Sequence, residues 1–270
     1  MVASARTAGL SAEALLQDLR TDRFGRAMRL LAETASTSDV AWEWLRSGGP
    51  EGGVVIAERQ TRGRGRHGRA WASPRGGLWM SVAVRPEMEM ASAGRLGVGL
   101  AIATAEAVRA EAGCDVGLKW PNDVVLGGRK LGGVLVETES DGGRVGAAVL
   151  SLGLNVNSDV GMLPEQVRRE AVSLLGATGR RHRVERIAGR VLEGLEGLWP
   201  DVVGAGTALA ERWRAWDVLH GREVSVDVGG ETRRGRANGI DSEGALVLMI
   251  GGAAHRMAAG EVRSVRGAQR

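Results

Sequence analysis

Apolar residues recur along this chain in two rhythms. Between 11 and 31 they fall at helical spacing, with Leu15, Leu19 and Leu30 among the apolar positions, and the stretch reads as helical. Asp39, after Ser36-Thr37-Ser38, can cap a helix that runs through Val40, Trp42 and Leu45 to Gly48-Gly49. Residues 93–112, carrying Leu96, Leu100, Ala103 and Val108, form a further predicted helix, as do 183–198 and 207–216. The second rhythm is that of strands. Val54-Val55-Ile56-Ala57 is a buried strand, Leu78–Val84 alternates until Pro86 stops it, and Val116–Trp120 breaks at Pro121. Asp123–Leu126 and Lys130–Val136, joined by Gly127-Gly128, make a hairpin, and Val145–Leu152 is a strand that runs into GLNVN. From Arg222 onward the texture changes to five short strands with glycine turns: Val224–Val228, Thr232–Asn238, Ala245–Ile250, His255–Met257 and Val262–Val265. The pattern predicts an α+β core followed by a small β-barrel.

Composition adjusts this picture only in places. The 270 residues allow one large domain or one domain with a satellite, and 43% apolar with 25% charged residues is the balance of a folded globular chain. No apolar run approaches the ~20 residues of a bilayer span, and no apolar block of signal-peptide type follows Arg6. A single cysteine, Cys114, excludes an internal disulfide, and His67, His182, His220 and His255 have no metal-ligand spacing. These features fit a reducing cytoplasm. The net charge of +4 suits anionic ligands without marking a nucleic-acid specialist.

The rare residues say more. Of 36 basic residues only Lys119 and Lys130 are lysines. A lysine retained against so strong an arginine bias marks a place where a planar fork is a poor substitute for a compact ammonium. Both fall in KWPNDVVLGGRK with Asn122, one of four asparagines, while Asn155 and Asn157 follow in GLNVN. Upstream, QTRGRGRHGRAW alternates Gly63, Gly65 and Gly68 with Arg62, Arg64, Arg66 and Arg69. Extended, Arg62, Arg64 and Arg66 would line one side, and the glycines would let backbone N–H groups approach a phosphate or carboxylate. With almost no apolar surface to bury, the loop is expected to be mobile until a ligand gives it something to fold on, with Trp71 as anchor or stacking face. From the loop alone, a solvated RNA-touching tract is an equal alternative.

Lys119, Asn122, Asp123 and Lys130 place two ammonium groups, an amide and a carboxylate around one hairpin. Such a lysine neutralises charge on a transferring phosphoryl group, and Asn and Asp hold phosphate-bound Mg²⁺ or ribose, with Asn155 a third oxygen donor. Asn-Asp after Pro is also ordinary turn chemistry. GGRKLGG is no P-loop, since Leu131 follows the lysine, and GRLGVGLA lies inside a helical pattern and reads as packing rather than as a dinucleotide fingerprint. Neither Ser73 nor Ser81 has a spaced base partner, so covalent catalysis is unsupported.

GRGRHGRAW (63–71), KWPNDVVLGGRKLGGVLVE (119–137) and GLNVN (153–157) together resemble the signature segments of biotin protein ligases. Ser36-Thr37-Ser38 resembles that family's S-T-N segment, and Gln60 its pre-loop glutamine; the likeness spans roughly 25–265. It implies a class II synthetase-like mixed sheet with helices in 1–218, the catalytic biotin- and ATP-binding domain, and an SH3-like β-barrel in 219–270. It implies ATP and biotin as substrates with Mg²⁺, an adenylate intermediate, and transfer to a lysine of a biotin carboxyl carrier domain. Carried over by position, Ser36, Thr37, Ser38, Gln60 and Gly65 contact biotin, and Arg64 and Arg66 lie along the intermediate. Arg69 faces the triphosphate, Trp71 covers the adenylate, Lys130 bridges carboxylate and α-phosphate, and Asn122, Asp123 and Asn155 sit near phosphate and metal. Lys130, Arg66 and Arg69 are the expected catalytic residues. Ser38 stands where the family commonly has asparagine, and His67 where arginine is frequent. The short N-terminal stretch leads to the expectation of a ligase without a DNA-binding repressor domain. A lipoate or octanoate ligase is the related alternative, but those enzymes lack a GRGRxGRxW loop; an RNA-binding module is the unrelated one, disfavoured by a single Phe and no Tyr.

Overall fold

The computed structural model describes residues 9–17 and 19–265. Seven strands form the central sheet: β1 (Met28–Leu31), β2 (Gly53–Ala57), β3 (Leu78–Val84), β4 (Val116–Lys119), β5 (Asp123–Leu126), β6 (Arg129–Asp141) and β7 (Arg144–Leu154). Their order is β1-β2-β3-β7-β6-β5-β4, with β1 parallel to β2 and every other pairing antiparallel. The sheet is thus mixed, as expected.

Both of its faces are covered, so β3, expected as an alternating strand, shows no alternation in burial. All seven of its residues are buried, because they alternate between two cores rather than between core and water. Val54, Ile56, Met80, Val82, Leu150 and Leu152 pack with α3 (Gly94–Ala112) and α6 (Val184–Val203). On the opposite face Val55, Ala83 and Val149 meet Ala41, Trp42 and Leu45 of α2 (Thr37–Arg46). Gly99 of α3 lets the two long helices touch: a Cβ there would come within 2.6 Å of a Val202 methyl. GRLGVGLA is packing, as its helical pattern implied.

Two helical expectations need correction. The stretch 11–31 is not one helix: α1 covers only Ala12–Leu16, and Met28–Leu31 is the edge strand β1. Its four apolar-flanked residues carry too short a pattern for periodicity to separate strand from helix. Asp39 does not cap α2; Ser36 is the N-cap, and Asp39 lies in the first turn, where its charge still complements the helix dipole. None of the described helices is long and apolar enough to cross a membrane.

After α4 (Glu165–Arg168), α5 (Leu174–Thr178), α6 and α7 (Thr207–Arg214), the chain pairs with Leu118 through Trp216 and Val218 and enters an all-β region. Its strands β8 (Glu223–Val228), β9 (Glu231–Ile240), β10 (Leu246–Ile250), β11 (Ala253–Met257) and β12 (Glu261–Val265) form an antiparallel sheet in the order β11-β10-β9-β8-β12. Buried Arg95 fastens this sheet to α3, donating to the Ser242 carbonyl at 2.9 Å, to the Gly204 carbonyl and to Glu243 at 2.5 Å.

Candidate active site

A cleft of about 370 Å³ opens on the α2 side of the central sheet, where α2 ends its cover and the strands β6 and β7 continue bare. Its floor follows from strand register. Gly133 of β6 faces Gly153 of β7, Leu135 faces Ser151, and Ser81 of β3 lies beside Ser151. Trp71 rests on the glycine pair: a Cβ at Gly153 would meet its indole nitrogen at 2.5 Å, and one at Gly133 its ring at 3.6 Å. At Gly153 only hydrogen fits beneath that ring.

At the α2 end the floor is a connected set of hydroxyls and one amide. The Thr37 N–H donates to Gln60 Oε1 at 2.8 Å, and the Thr37 hydroxyl lies 3.1 Å from the same oxygen. Thr37 Oγ1 is 2.8 Å from Ser81 Oγ, which is 2.9 Å from Ser151 Oγ. Gln60 Nε2 donates to Ser73 Oγ at 2.8 Å, and Ser73 to the Trp71 carbonyl at 3.1 Å. Gly63 is required beside this set, since a Cβ there would meet the Trp71 carbonyl at 2.5 Å and Ser73 Oγ at 2.6 Å.

The arginine loop is not the unpacked tract its composition predicts. It closes on itself as a small hairpin, with Gly65 N–H to the Arg69 carbonyl at 2.8 Å and Trp71 N–H to the Gly63 carbonyl at 2.9 Å, turning through His67 at φ 56°. The turn brings Arg69 back beside Arg64 and Arg66, and these three border the cleft, whereas Arg62 lies outside it. Arg64 donates to Ser38 Oγ at 2.7 Å and pairs with Asp39 at 2.7 Å and Glu137 at 3.4 Å; burial opposes its charge, but the two carboxylates raise its pKa overall. Arg66 donates to the Gly260 carbonyl at 3.2 Å, and its pKa is lowered by burial in spite of Asp123 and Glu261. Arg69 forms a bidentate pair with Glu261 at 2.8 and 2.6 Å. The loop's packing partner is therefore β12.

At the other end Lys130 Nζ is 2.6 Å from Asp123 and 5.1 Å from the Trp71 ring centre. Its backbone is pinned on both sides, N–H to the Glu170 carbonyl and C=O from the Val172 N–H. Lys119 borders the same end. Asn122 donates its amide to the Val134 carbonyl at 2.8 Å and Asn155 to that of Val172 at 3.2 Å, leaving both side-chain oxygens to a ligand. No cluster of three or more His, Cys, Asp or Glu side chains able to hold a metal exists among the described residues. The donor set is instead one carboxylate and two amide oxygens, which suits a Mg²⁺ held mainly by a polyphosphate and its waters.

Every residue singled out for a ligand role from the signature segments borders this one cleft: Ser36, Thr37, Ser38, Gln60, Arg64, Gly65, Arg66, Arg69, Trp71, Asn122, Asp123, Lys130 and Asn155. Asn157 does not; its amide exchanges hydrogen bonds with the His182 backbone at 2.8 and 2.9 Å and holds a loop. Sequence reasoning missed two walls. Leu163, Gln166, Val167 and Glu170 close the lysine end, and Glu261 and Val262 close the loop end. Gln166 in the first wall is one of only four glutamines and was a scarcity signal left unread; Val167, 46% exposed, shows that the same wall has apolar surface to offer.

Residues 30–157 match the sequence profile described as the Biotin/lipoate A/B protein ligase family. The chain is 37% identical over 248 residues to the biotin--[acetyl-CoA-carboxylase] ligase of Mycobacterium tuberculosis, covering 89% of this chain and 90% of that one. It is 32% identical over 232 residues to the bifunctional ligase/repressor BirA of Bacillus spizizenii, covering 85% of this chain and 71% of that protein. Among solved structures, the biotin protein ligase from Aquifex aeolicus in complex with biotin and ATP superposes with a TM-score of 0.76 at 26% identity, over 90% of this chain and 100% of that one.

Proposed function

The chain belongs to the biotin protein ligases of the biotin/lipoate A/B protein ligase family, and from that premise we propose that its cleft joins biotin to ATP as biotinyl-5′-AMP and then passes the biotinyl group to a lysine of a carboxyl carrier domain. One juxtaposition supports this reading most strongly: a floor of hydroxyls and an amide at one end of the cleft, and Arg66, Lys119 and Lys130 at the other.

In the first half-reaction a biotin carboxylate oxygen attacks the α-phosphorus of ATP, and pyrophosphate leaves. Two anions must come within ~3–3.5 Å before the bond forms, so the cleft's first task is to screen their repulsion. Lys130 is suited to it. It sits on a strand, its backbone tied through both N–H and C=O to the 170–172 segment, with Asp123 as a resting counter-ion that an incoming phosphate replaces. Arg66 reaches the same region from the loop, and Arg69 exchanges Glu261 for a phosphate of similar geometry. Asp123 with the oxygens of Asn122 and Asn155 would hold Mg²⁺, which supplies charge screening on the triphosphate. Trp71, seated on Gly133 and Gly153, covers the intermediate and keeps water from the anhydride. In the second half-reaction a carrier lysine, as the free amine, attacks the acyl carbon; the C–O bond to phosphate breaks and AMP leaves.

The head-group end favours biotin over a lipoyl or octanoyl acid. Ser36, Thr37, Ser38, Gln60 and Ser151 border that end, and an aliphatic or dithiolane tail would bury their polar atoms without partners. The fused urea of biotin offers two N–H donors and a carbonyl. Incubating the chain with biotin and ATP should release pyrophosphate and yield labelled biotinyl-AMP, which then labels a carrier domain; no pyrophosphate with biotin, or equal release with lipoate, refutes the proposal.

A further inference from the structure

The hydrogen-bond chain beneath the cleft has a direction, and counting protons reveals it. The Thr37 N–H donates to Gln60 at 2.8 Å, so the amide must present its oxygen there and its NH₂ to Ser73. Thr37 Oγ1 is 3.1 Å from that same oxygen, which cannot donate, so the Thr37 hydroxyl spends its only proton on Gln60. At the 2.8 Å contact between Thr37 and Ser81, Ser81 must then be the donor. Its proton spent, Ser81 receives the next bond, 2.9 Å away, from Ser151. Ser151 thus turns its one proton into the sheet and faces the cleft with lone pairs alone. Each bond polarises the next, so the arrangement resists reversal.

Ser81 is fully buried and does not border the cleft, whereas Ser151 is half-buried and does. On β7 it lies two residues from Gly153, under Trp71, and two from Val149, under α2; the strand period sets all three on one face. It therefore stands between the cover over the intermediate and the helix that ends the cleft. Resting on the function proposed above, we infer that Ser151 is a specificity-determining residue, an obligate acceptor for a ureido N–H of the biotin head group. A ligand with no N–H at this point leaves the Ser151 lone pairs unmatched, which disfavours it.

Calorimetric titration of the full chain with biotin, and with each of the two mono-N-methylated biotins, tests the assignment. Ser151→Ala should weaken biotin binding about three- to tenfold, the range for one neutral hydrogen bond, and leave the affinity for a non-hydrolysable ATP analogue alone unchanged. The wild-type chain should reject one methyl isomer, and Ser151→Ala should narrow that gap. Ser81→Ala frees the Ser151 proton to rotate outward and should narrow the same gap; it carries the test if Ser151→Ala does not fold. Unaltered biotin affinity in Ser151→Ala, or an undiminished gap for both isomers in the variant that folds, overturns the inference. A wild-type chain that takes up no biotin removes the parent reading with it, a different failure from a variant that binds as its parent does.

Discussion

At Lys130 the difference between an ammonium and a guanidinium becomes measurable. Its Nζ is held 2.6 Å from Asp123 with the Trp71 ring at 5.1 Å, a space for a compact charge and not for a planar fork. Lys130→Arg should keep the charge yet lower biotinyl-AMP formation about 10²-fold in a pyrophosphate-release assay, with little change in melting temperature. Gly153→Ala makes the converse test, adding one methyl where only 2.5 Å separates a Cβ from the indole nitrogen. Trp71 must lift, and a displacement near 1 Å should cost about 10²-fold in turnover while circular dichroism stays native. Scarcity made Lys119, Lys130, Asn122 and Asn155 legible in the sequence, since few competing residues of those types exist. Ser151 was not legible: a serine among apolar strand residues has no signature until Ser81 and Thr37 are seen beside it.

The arginine hairpin and β12 behave as a pair of elements joined by charge. Arg69 holds the Glu261 carboxyl below its ordinary pKa, chiefly through their hydrogen bonds. A depressed carboxylate stabilises the tie fully above its ordinary value of about 4.3, and the tie is lost as pH falls through the lower bound value. Backbone amides at 65–71 should therefore show constant hydrogen-exchange protection from pH 8 to 6, after correction for intrinsic rates, and lose it only in acid below about pH 4. Glu261→Gln should remove the charge at every pH, so that trypsin cuts at Arg66 and Arg69 faster than in the parent chain and biotin with MgATP restores protection. Equal cutting of the two proteins would separate the loop from β12. The loop's closure escaped the sequence because its partner lies some 190 residues downstream. The misassigned edge strand Met28–Leu31 has the opposite cause: its parallel partner β2 was recognised, but four residues offered too little pattern of their own.

Across the whole molecule a buried arginine helps to fix the relation of the two sheets, beside the Trp120–Gly244 hydrogen bond and a shared apolar core. Arg95 satisfies the Ser242 and Gly204 carbonyls and pairs with Glu243 at 2.5 Å. Arg95→Met should cost about 3 kcal/mol in urea denaturation, because it strands a carboxylate and two carbonyls at the junction. It should also weaken ATP binding more than biotin binding, since the β12 wall moves and the α2 end does not. The two-part architecture was legible from the change to short glycine-separated strands at Arg222; their docking was not, since Arg95 looked like any other arginine in a helix. Because Gly260 and Glu261 hold the arginine hairpin from some 190 residues downstream, ribosomal synthesis delivers that wall of the cleft after the central sheet it faces. Until that segment has left the ribosome, a nascent chain keeps its cleft open on the β12 side.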